Sequence, residues 1–124
     1  MYFRNEHHRQ AFREGMKKTN RKDKETVSAV YLLSAEPCLW QRARRAAIYG
    51  KILLNNICLT GISEDGYILL GAAKDMKYGT KYLTVGDLSD RSLITPKIYK
   101  LISQAMQIKR SGSSALQGTK AEGV

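Results

Sequence analysis

Apolar residues recur at helical spacing in the first third of the chain. The pattern predicts a helix over 6–18 with Asn5 as its N-cap. Five of its positions face one side: His8, Ala11, Phe12, Gly15 and Met16. A second predicted helix begins at Asp23 or Lys24 and ends near Ser34. Because its middle, VSAVYLL, is apolar on nearly every side, we expect this helix to be the buried centre of the fold.

Start and stop signals predict two further helices in the middle of the chain. Pro37, which follows Glu36, opens a third helix, since proline is tolerated at the first helical position, and Gly50 closes it. Ser63 caps a fourth helix that ends at Gly79. The segment between these two helices has no clean period, so residues 51–62 are interpreted as a connector with a short extended piece, although a strand or helix stays possible there.

The pattern over 84–102 predicts a short helix, a tight turn and a longer helix. Thr84 and Asp87 have the spacing of a capping box at the start of the short helix. Thr95 caps the last helix, which ends near residue 110 and opens on a proline. Inward positions of this unit are Leu88, Ile94, Ile98 and Leu101. The arrangement resembles a helix-turn-helix, but its turn lacks the usual glycine.

Together these elements predict an all-α fold of about five or six helices, because strand signals are weak throughout the sequence. Residues 1–110 form the single helical domain of this prediction. Residues 111–124, SGSSALQGTKAEGV, are small and polar and are predicted to be a flexible C-terminal tail.

Composition agrees with one folded domain: the chain has 124 residues, of which 43% are hydrophobic and 26% charged. No apolar run approaches the roughly 18 residues that span a bilayer, and the first residues, MYFRNEHHRQ, lack the apolar core of a signal peptide. Cys38 and Cys58 are too few for a disulfide scaffold. These features predict a cytoplasmic protein without a membrane contact.

No catalytic or metal-binding motif stands out in the sequence. His7 and His8 are adjacent on a helix, so they point about 100° apart and chelate one metal poorly. Residues 61–66 have the glycine spacing of a P-loop, but Tyr67 and Ile68 stand where lysine and serine or threonine would bind phosphate and metal. We therefore expect no enzyme activity, no catalytic residue, no metal site and no cofactor.

Other reactive groups receive structural interpretations. Cys38 lies near a helix start, where the pKa of a thiol can be lowered. A catalytic cysteine would need a histidine partner, but both histidines lie in another helix. Cys38 and Cys58 are therefore interpreted as small core residues. Asp87 is interpreted as a cap and Asp90 as surface charge, rather than as a catalytic pair. Four aromatic residues with apolar neighbours are predicted to belong to the core: Tyr31, Trp40, Tyr67 and Tyr99.

Charge is the feature that indicates a partner. The chain has 21 Lys and Arg against 11 Asp and Glu, a formal charge of +10. Such a field attracts polyanions, and Lys and Arg contacts to phosphates give salt-dependent affinity. The predicted nucleic-acid-binding residues lie on the last helix (Lys97, Lys100, Gln104 and Gln107), the third helix (Arg42 and Arg45) and the first helix (Arg9, Arg13 and Lys17).

Several segments resemble a known family. They are Phe3-x-Asn5-x-x-His8-x-x-x-Phe12, AVYLLSAEPCLW at 29–40, GYILLGAAKDMKYGTKYLTVGDLSD at 66–90 and ITPKIYKLISQAM at 94–106. The chain is similar there to an uncharacterised family of small proteins carried by phages and conjugative elements of Gram-positive gut bacteria. The resemblance implies accessory cargo of a mobile element, such as a gene regulator or an inhibitor of a host defence nuclease, and it supplies no catalytic residues.

Two function hypotheses follow. The first is a small, basic, non-catalytic binding protein of a phage or mobile element that engages DNA, RNA or a nucleoprotein complex. As a helical protein that reads DNA, it would commonly be a homodimer. The alternative is a protein-binding inhibitor of a host defence nuclease, comparable to an anti-CRISPR protein, whose partner is a nucleic-acid-binding host complex.

Overall fold

Six α-helices build the part of the chain that the computed structural model describes, residues 1–48 and 51–112. A two-residue antiparallel strand pair, β1 (Ala47–Ile48) and β2 (Lys51–Ile52), and a 3-10 turn at Leu54–Asn56 connect the third helix to the fourth. The all-α prediction is confirmed. The helices are α1 (Glu6–Met16), α2 (Lys24–Leu33), α3 (Pro37–Arg45), α4 (Glu64–Tyr78), α5 (Val85–Leu88) and α6 (Pro96–Ser111).

Helix α2 lies at the centre of the core, as its apolar sequence predicts. Asp23 caps it by accepting a hydrogen bond from the backbone N–H of Thr26 (3.2 Å), and every residue over 27–33 is buried. The polar member of that stretch, Ser28, donates its hydroxyl to the carbonyl oxygen of Ala105 in α6 (2.7 Å). Helix α2 packs mainly on α4 and α6, and α1 and α3 cover the remainder.

Helix α1 packs with the face that the sequence predicts. The Asn5 side chain accepts a hydrogen bond from the backbone N–H of His8 (2.8 Å), which caps the helix. All five predicted inward positions are buried. Phe3 reaches back from the N-terminal segment to the rings of His8, Phe12 and Tyr31, with centroid distances of 5.1–6.0 Å. The first helix therefore closes one side of the core with an aromatic cluster.

His8 is the buried ionisable group of this cluster. Its Nδ1 accepts a hydrogen bond from the backbone N–H of Arg4 (3.0 Å), so the proton resides on Nε2, which donates to the carbonyl oxygen of Tyr31 (2.8 Å). Burial lowers the pKa of His8 to about 4, since the charged imidazolium loses its hydration. The imidazole is thus neutral in the folded protein at pH 7.

The third helix ends earlier than the sequence predicts. It begins at Pro37, where the Glu36 side chain accepts from the backbone N–H of Leu39 (2.7 Å), but it stops at Arg45. The backbone then turns into β1, and the N–H of Leu53 donates to the carbonyl oxygen of Ala46 (3.1 Å). Pairing with β2 takes up the backbone groups that a longer helix would have used. The predicted terminator, Gly50, lies outside the described residues.

The C-terminal half keeps its predicted caps but not a helix-turn-helix. Thr84 and Asp87 form both hydrogen bonds of the capping box (3.0 Å each). However, α5 has only four residues, and residues 89–95 separate it from α6. Asp90 organises this longer link, because its carboxylate accepts from the N–H and the hydroxyl of Ser92 (3.0 and 2.6 Å). A helix-turn-helix has a turn of about three or four residues, so this geometry departs from it.

Burial in this unit follows the prediction at most positions. Ile94, Ile98 and Leu101 are buried, and Leu88 is half-buried against the core. Helix α6 continues to Ser111, the first residue of the predicted tail, and Gly112 is its C-cap. The remainder of that predicted tail, 113–124, lies outside the described residues. Within the described part of the chain, no helix combines the length and apolarity that crossing a membrane requires.

Alanine substitutions at two helical glycines are expected to change the stability of the protein in opposite directions. A Cβ on Gly15 would lie 2.8 Å from both Trp40 Cη2 and Val30 Cγ1, so Gly15→Ala will destabilise the protein by about 1–3 kcal/mol through overpacking. A Cβ on Gly71 would lie 3.4 Å from the Cβ of Tyr82, an ordinary contact. Gly71→Ala will therefore stabilise by up to about 1 kcal/mol, since alanine favours helix. Urea unfolding of both variants measures this difference, and equal signs would contradict the close approach of α1 to Trp40.

Candidate nucleic-acid interface

The outer side of α6 carries the row of polar residues that the sequence predicts. Thr95 caps the helix by accepting from the backbone N–H of Ile98 (3.4 Å), and Pro96 occupies the first helical position. The apolar side of the helix packs on α2 and α4. Four predicted residues follow i, i+3, i+7 and i+10 spacing and share the opposite side: Lys97, Lys100, Gln104 and Gln107. Of these, only Gln104 is half-buried.

The N-terminal segment crosses this row. The backbone N–H of Tyr2 donates to Oε1 of Gln104 (3.1 Å), and the Nζ of Lys100 lies 5.8 Å from the Tyr2 ring centroid. The Tyr31 hydroxyl also donates to the carbonyl oxygen of Tyr2. Gln104 therefore holds the N-terminal segment on α6, and its side-chain carbonyl is already occupied. Lys97, Lys100 and Gln107 remain exposed.

Helix α6 has four cations and no carboxylate. They are Lys97, Lys100, Lys109 and Arg110, and the sequence contains no Asp or Glu between Asp90 and Glu122. Within the described residues, none of the four α6 cations takes part in a salt bridge. No carboxylate of the described residues therefore lies close enough to cancel their charge.

Cations on α1 are partly neutralised. Arg9 forms a two-pronged ion pair with Glu6, with Nε–Oε2 and Nη2–Oε1 distances of 3.0 and 2.5 Å. The hydrogen bond from Arg9 also lowers the pKa of Glu6, which keeps that carboxylate charged. Arg13 and Lys17 are exposed, and neither is in a salt bridge within the described part of the chain. The predicted stripe on α1 is thus reduced to two uncompensated charges.

The arginines of α3 have different neighbours. Arg44 pairs with Glu14 of α1 (3.3 Å), which ties these two helices together. Arg42 donates from Nη1 to the carbonyl oxygen of Cys58 (2.7 Å). Arg42 and Arg45 line a cavity of about 410 Å³ beside the connector that precedes α4. Arg42 therefore serves first to fix that connector, whereas Arg45 is exposed.

The predicted residues therefore fall into two groups. Helix α6 packs on α2 and α4, whereas α1 packs on α2 and α3. Sequence reasoning combined both groups in one predicted interface, but neither α1 nor α3 is among the main packing partners of α6. Within the described residues, no ion pair involves the α6 group, whereas Arg9 of the other group is paired with Glu6.

A cavity of about 630 Å³ opens between α5 and the first turns of α6. Its wall is mostly apolar, and Arg91 and Lys100 contribute its cations. Tyr99 also lines the cavity, and its side chain is exposed. The charged row on α6 thus borders a concave surface that can accept a flat apolar group.

The core predictions for aromatic residues and cysteines are partly wrong. Tyr31 and Trp40 are buried as predicted, whereas Tyr67 and Tyr99 are exposed. Tyr67 lies outside because its neighbours over 68–70 fill the core side of α4. Exposed tyrosines are candidate binding residues. The sequence signal for the exposure of Tyr67 is its helical spacing relative to Ile68, Leu69 and Leu70.

Cys58 is exposed on the connector before α4, contrary to its predicted place in the core. Hydrogen bonds from Thr60 and the nearby Arg42 guanidinium lower the pKa of its thiol. Cys38 is half-buried at the start of α3, so the core interpretation is only partly met there. The connector places Ile57 in the core and leaves Cys58 and Leu59, which follow it, at the surface.

The described residues include no group of three or more His, Cys, Asp and Glu arranged to hold a metal ion. Asp87 is a helix cap and Asp90 a turn-forming residue, so hydrogen bonds to their own segment explain both carboxylates. Hydrogen bonding by Ser92 also lowers the pKa of Asp90.

Comparison with known proteins finds no protein-family model, no curated protein and no solved structure that matches this chain. The resemblance to small proteins of phages and conjugative elements stays a prediction.

Proposed function

We propose that this protein is a small, non-catalytic nucleic-acid-binding protein whose α6 surface contacts phosphates. The observation that carries the proposal is the combination of four cations and no carboxylate on α6. The helix is anchored by Ile98, Leu101, Ile102, Ala105 and Ile108, so its charged side is held on a rigid element. Rigid presentation lowers the entropy lost when Lys97 and Lys100 bind phosphates.

Net charge supports a polyanion as the partner. A formal charge of +10 on 124 residues produces a positive field that attracts nucleic acid and makes binding salt-dependent. The α6 row is favoured over α1 and α3 because Arg9 of α1 and Arg44 of α3 already contact carboxylates. DNA, RNA and a nucleoprotein complex present the same phosphate chemistry to this surface.

The cytoplasm is the compartment we propose for this activity. Cys38 and Cys58 are both free thiols, which is typical of proteins in a reducing compartment. Accessory cargo of a phage or mobile element, the setting that the family resemblance implies, would meet nucleic acid there.

Neutralising Lys97 and Lys100 tests the proposal. We expect Lys97→Gln/Lys100→Gln to weaken binding to a fluorescein-labelled duplex and to reduce the slope of log affinity against log salt by about 2. The matched control is Arg44→Gln/Lys77→Gln, which removes the same charge from cations that are paired with Glu14 and Asp23. Fluorescence anisotropy at several salt concentrations measures both variants, and thermal unfolding confirms that they fold.

Two outcomes would contradict the proposal. An equal loss in both double variants would mean that net charge, not the α6 surface, governs binding. A wild-type protein that binds neither duplex DNA nor single-stranded RNA at low salt would remove direct nucleic-acid binding from consideration. The alternative, a protein-binding inhibitor of a host defence nuclease, would then be tested with purified nuclease complexes.

A further inference from the structure

Helix α4 carries a row of exposed tyrosines that the proposed α6 contacts do not use. Tyr67, Gly71, Lys74 and Tyr78 follow i, i+4, i+7 and i+11 spacing, so they share one side of the helix. The side chains of Tyr67 and Tyr78 are 62% and 46% exposed. Residues on the other side of α4, such as Leu69 and Ala73, are buried in the core. The row is therefore solvent-facing and rigidly supported.

A third tyrosine fills the gap in this row. Tyr82 lies beyond the end of α4 and folds back, so that its Cβ would touch a Cβ on Gly71 at 3.4 Å. Tyr82 is 55% exposed. The Nζ of Lys74 lies 5.2 Å from the ring centroid of Tyr82, within the range of a cation–π contact. Tyr82 therefore packs closely over Gly71, at a distance that leaves room for a Cβ.

Asp75 fixes the segment that carries Tyr82. Its carboxylate accepts hydrogen bonds from the backbone N–H groups of Tyr82 and Leu83 (2.9 Å each) and from the hydroxyl of Thr80 (2.5 Å). Gly79 makes the reversal possible by ending α4 with a positive φ of 71°. Tyr82 is consequently held in place by the backbone of its loop, and the Asp75 charge is occupied by three donors.

The dimensions of the row suit several flat ligand groups. Tyr78 follows Tyr67 by eleven positions, which corresponds to about 16 Å along the helix axis. Tyr82 lies between them at the level of Gly71 and Lys74. Three rings thus follow one another along the row, and the Lys74 ammonium group lies over the middle ring. Stacking surfaces beside cations are how proteins bind unpaired bases and their phosphates.

We propose that the row formed by Tyr67, Tyr82, Tyr78 and Lys74 binds single-stranded nucleic acid by stacking its bases on the tyrosine rings. This inference rests on the proposed nucleic-acid-binding function and names the form of nucleic acid that the protein prefers. A duplex hides its base faces inside the helix, so it can use the cations of α6 but not the tyrosine row. A single strand can use both.

Charge favours a nucleic acid over a protein as the occupant of the row. Lys74 is the one charged residue among the four that form the row, Glu64 precedes Tyr67 by one turn, and the formal charge of +10 on the chain supplies the attraction to phosphates. A stable protein interface has a packed apolar centre, whereas Gly71 and Lys74 occupy the middle of this row. Its stacking surface is therefore divided into separate rings, as separate bases require.

Alanine and phenylalanine variants test the row. We expect wild-type protein to bind fluorescein-labelled dT15 and rU15 more tightly than a 15-base-pair duplex of mixed sequence. Tyr67→Ala and Tyr78→Ala will each reduce single-strand affinity about tenfold, in line with the stacking energy of one base. Tyr67→Phe and Tyr78→Phe will retain affinity, because phenylalanine keeps the ring. Duplex affinity and the salt slope will not change in any of the four variants.

The same measurements separate this inference from the proposed function. Alanine variants that bind dT15 and rU15 like the wild type would overturn the tyrosine row, while a loss of affinity in Lys97→Gln/Lys100→Gln would still support the α6 contacts. Alanine variants that lose single-strand and duplex affinity equally would also overturn base stacking. Because both tyrosines are exposed, thermal unfolding should show unchanged stability, so a change in affinity reports the surface itself.

Discussion

Truncating Leu33 to alanine will destabilise the protein by about 2–5 kcal/mol. Leu33 ends α2 and is fully buried, and α2 is the helix against which α1, α3, α4 and α6 pack. The variant loses the transfer free energy of three carbon atoms and leaves a cavity that its neighbours can fill only in part. Urea unfolding followed by circular dichroism measures the change in the free energy of unfolding.

Leu93→Ala is the matched control for this prediction. The same atoms are removed, but Leu93 lies in the link before α6 and its side chain is 45% exposed. We expect a change within about 0.5 kcal/mol, as for most surface substitutions. A near-neutral Leu33→Ala, or equal effects at the two positions, would show that α2 is not the centre of the core.

Helix starts could be predicted from sequence because capping is local. Asn5, Ser63, Thr84 and Thr95 each accept a hydrogen bond from a backbone N–H three residues later, as their positions predict. The central place of α2 was also predictable, since a helix that is apolar on all sides needs other helices around it. These features depend only on residues close together in the sequence.

The end of α3 and the exposed tyrosines depend on distant residues. Helix α3 stops at Arg45 because the backbone after it pairs with β2, and no residue inside the helix signals that pairing. The position of Tyr67 in the helical pattern fits a core residue as well as a surface residue. Only the packing of α4 on α2 decides which side of α4 is buried. Tyrosine suits either environment, since its ring is apolar and its hydroxyl polar.

The candidate site was predictable as a set of charges but not as an interface. Cation positions marked surfaces on α1, α3 and α6, with the last helix as the best candidate, but they could not show that Arg44 pairs with Glu14, thirty positions earlier in the chain. The side chain of Gln104 accepts a hydrogen bond from the backbone N–H of Tyr2, which lies 102 positions earlier in the sequence. Long-range contacts of this kind decide which polar side chains stay available, and neither periodicity nor composition contains them.

Acidification will destabilise the protein through His8. In the unfolded chain a histidine has a pKa of about 6.5, whereas burial lowers the pKa of His8 in the folded protein to about 4. Between these values the unfolded state binds more protons than the folded state, so the free energy of unfolding falls as pH falls. The stabilising contribution is complete above pH 6.5 and is lost progressively towards pH 4. Its size is up to about 3 kcal/mol.

Two glutamine variants isolate this effect from the titration of carboxylates. His8→Gln removes the titrating group and should abolish most of the pH dependence between pH 6.5 and 4.5. His7→Gln changes an exposed neighbour and should retain it. Hydrogen bonds lower the pKa of Asp23 and Glu6, so the stability that these carboxylates contribute is lost at lower pH. Both variants retain these carboxylates, so this loss is the same in each. Urea unfolding at pH 7.5, 5.5 and 4.5 gives the comparison.

Nuclear magnetic resonance of the wild-type imidazole provides a test that does not depend on whether His8→Gln folds. The Nε2–H of His8 donates to Tyr31 and its Nδ1 accepts from Arg4, so protonation would break the second of these hydrogen bonds. We expect the ring resonances of His8 to stay those of the neutral Nε2–H form at pH 5. Titration of His8 near pH 6.5, or an unchanged pH dependence in a folded His8→Gln, would contradict a buried neutral imidazole.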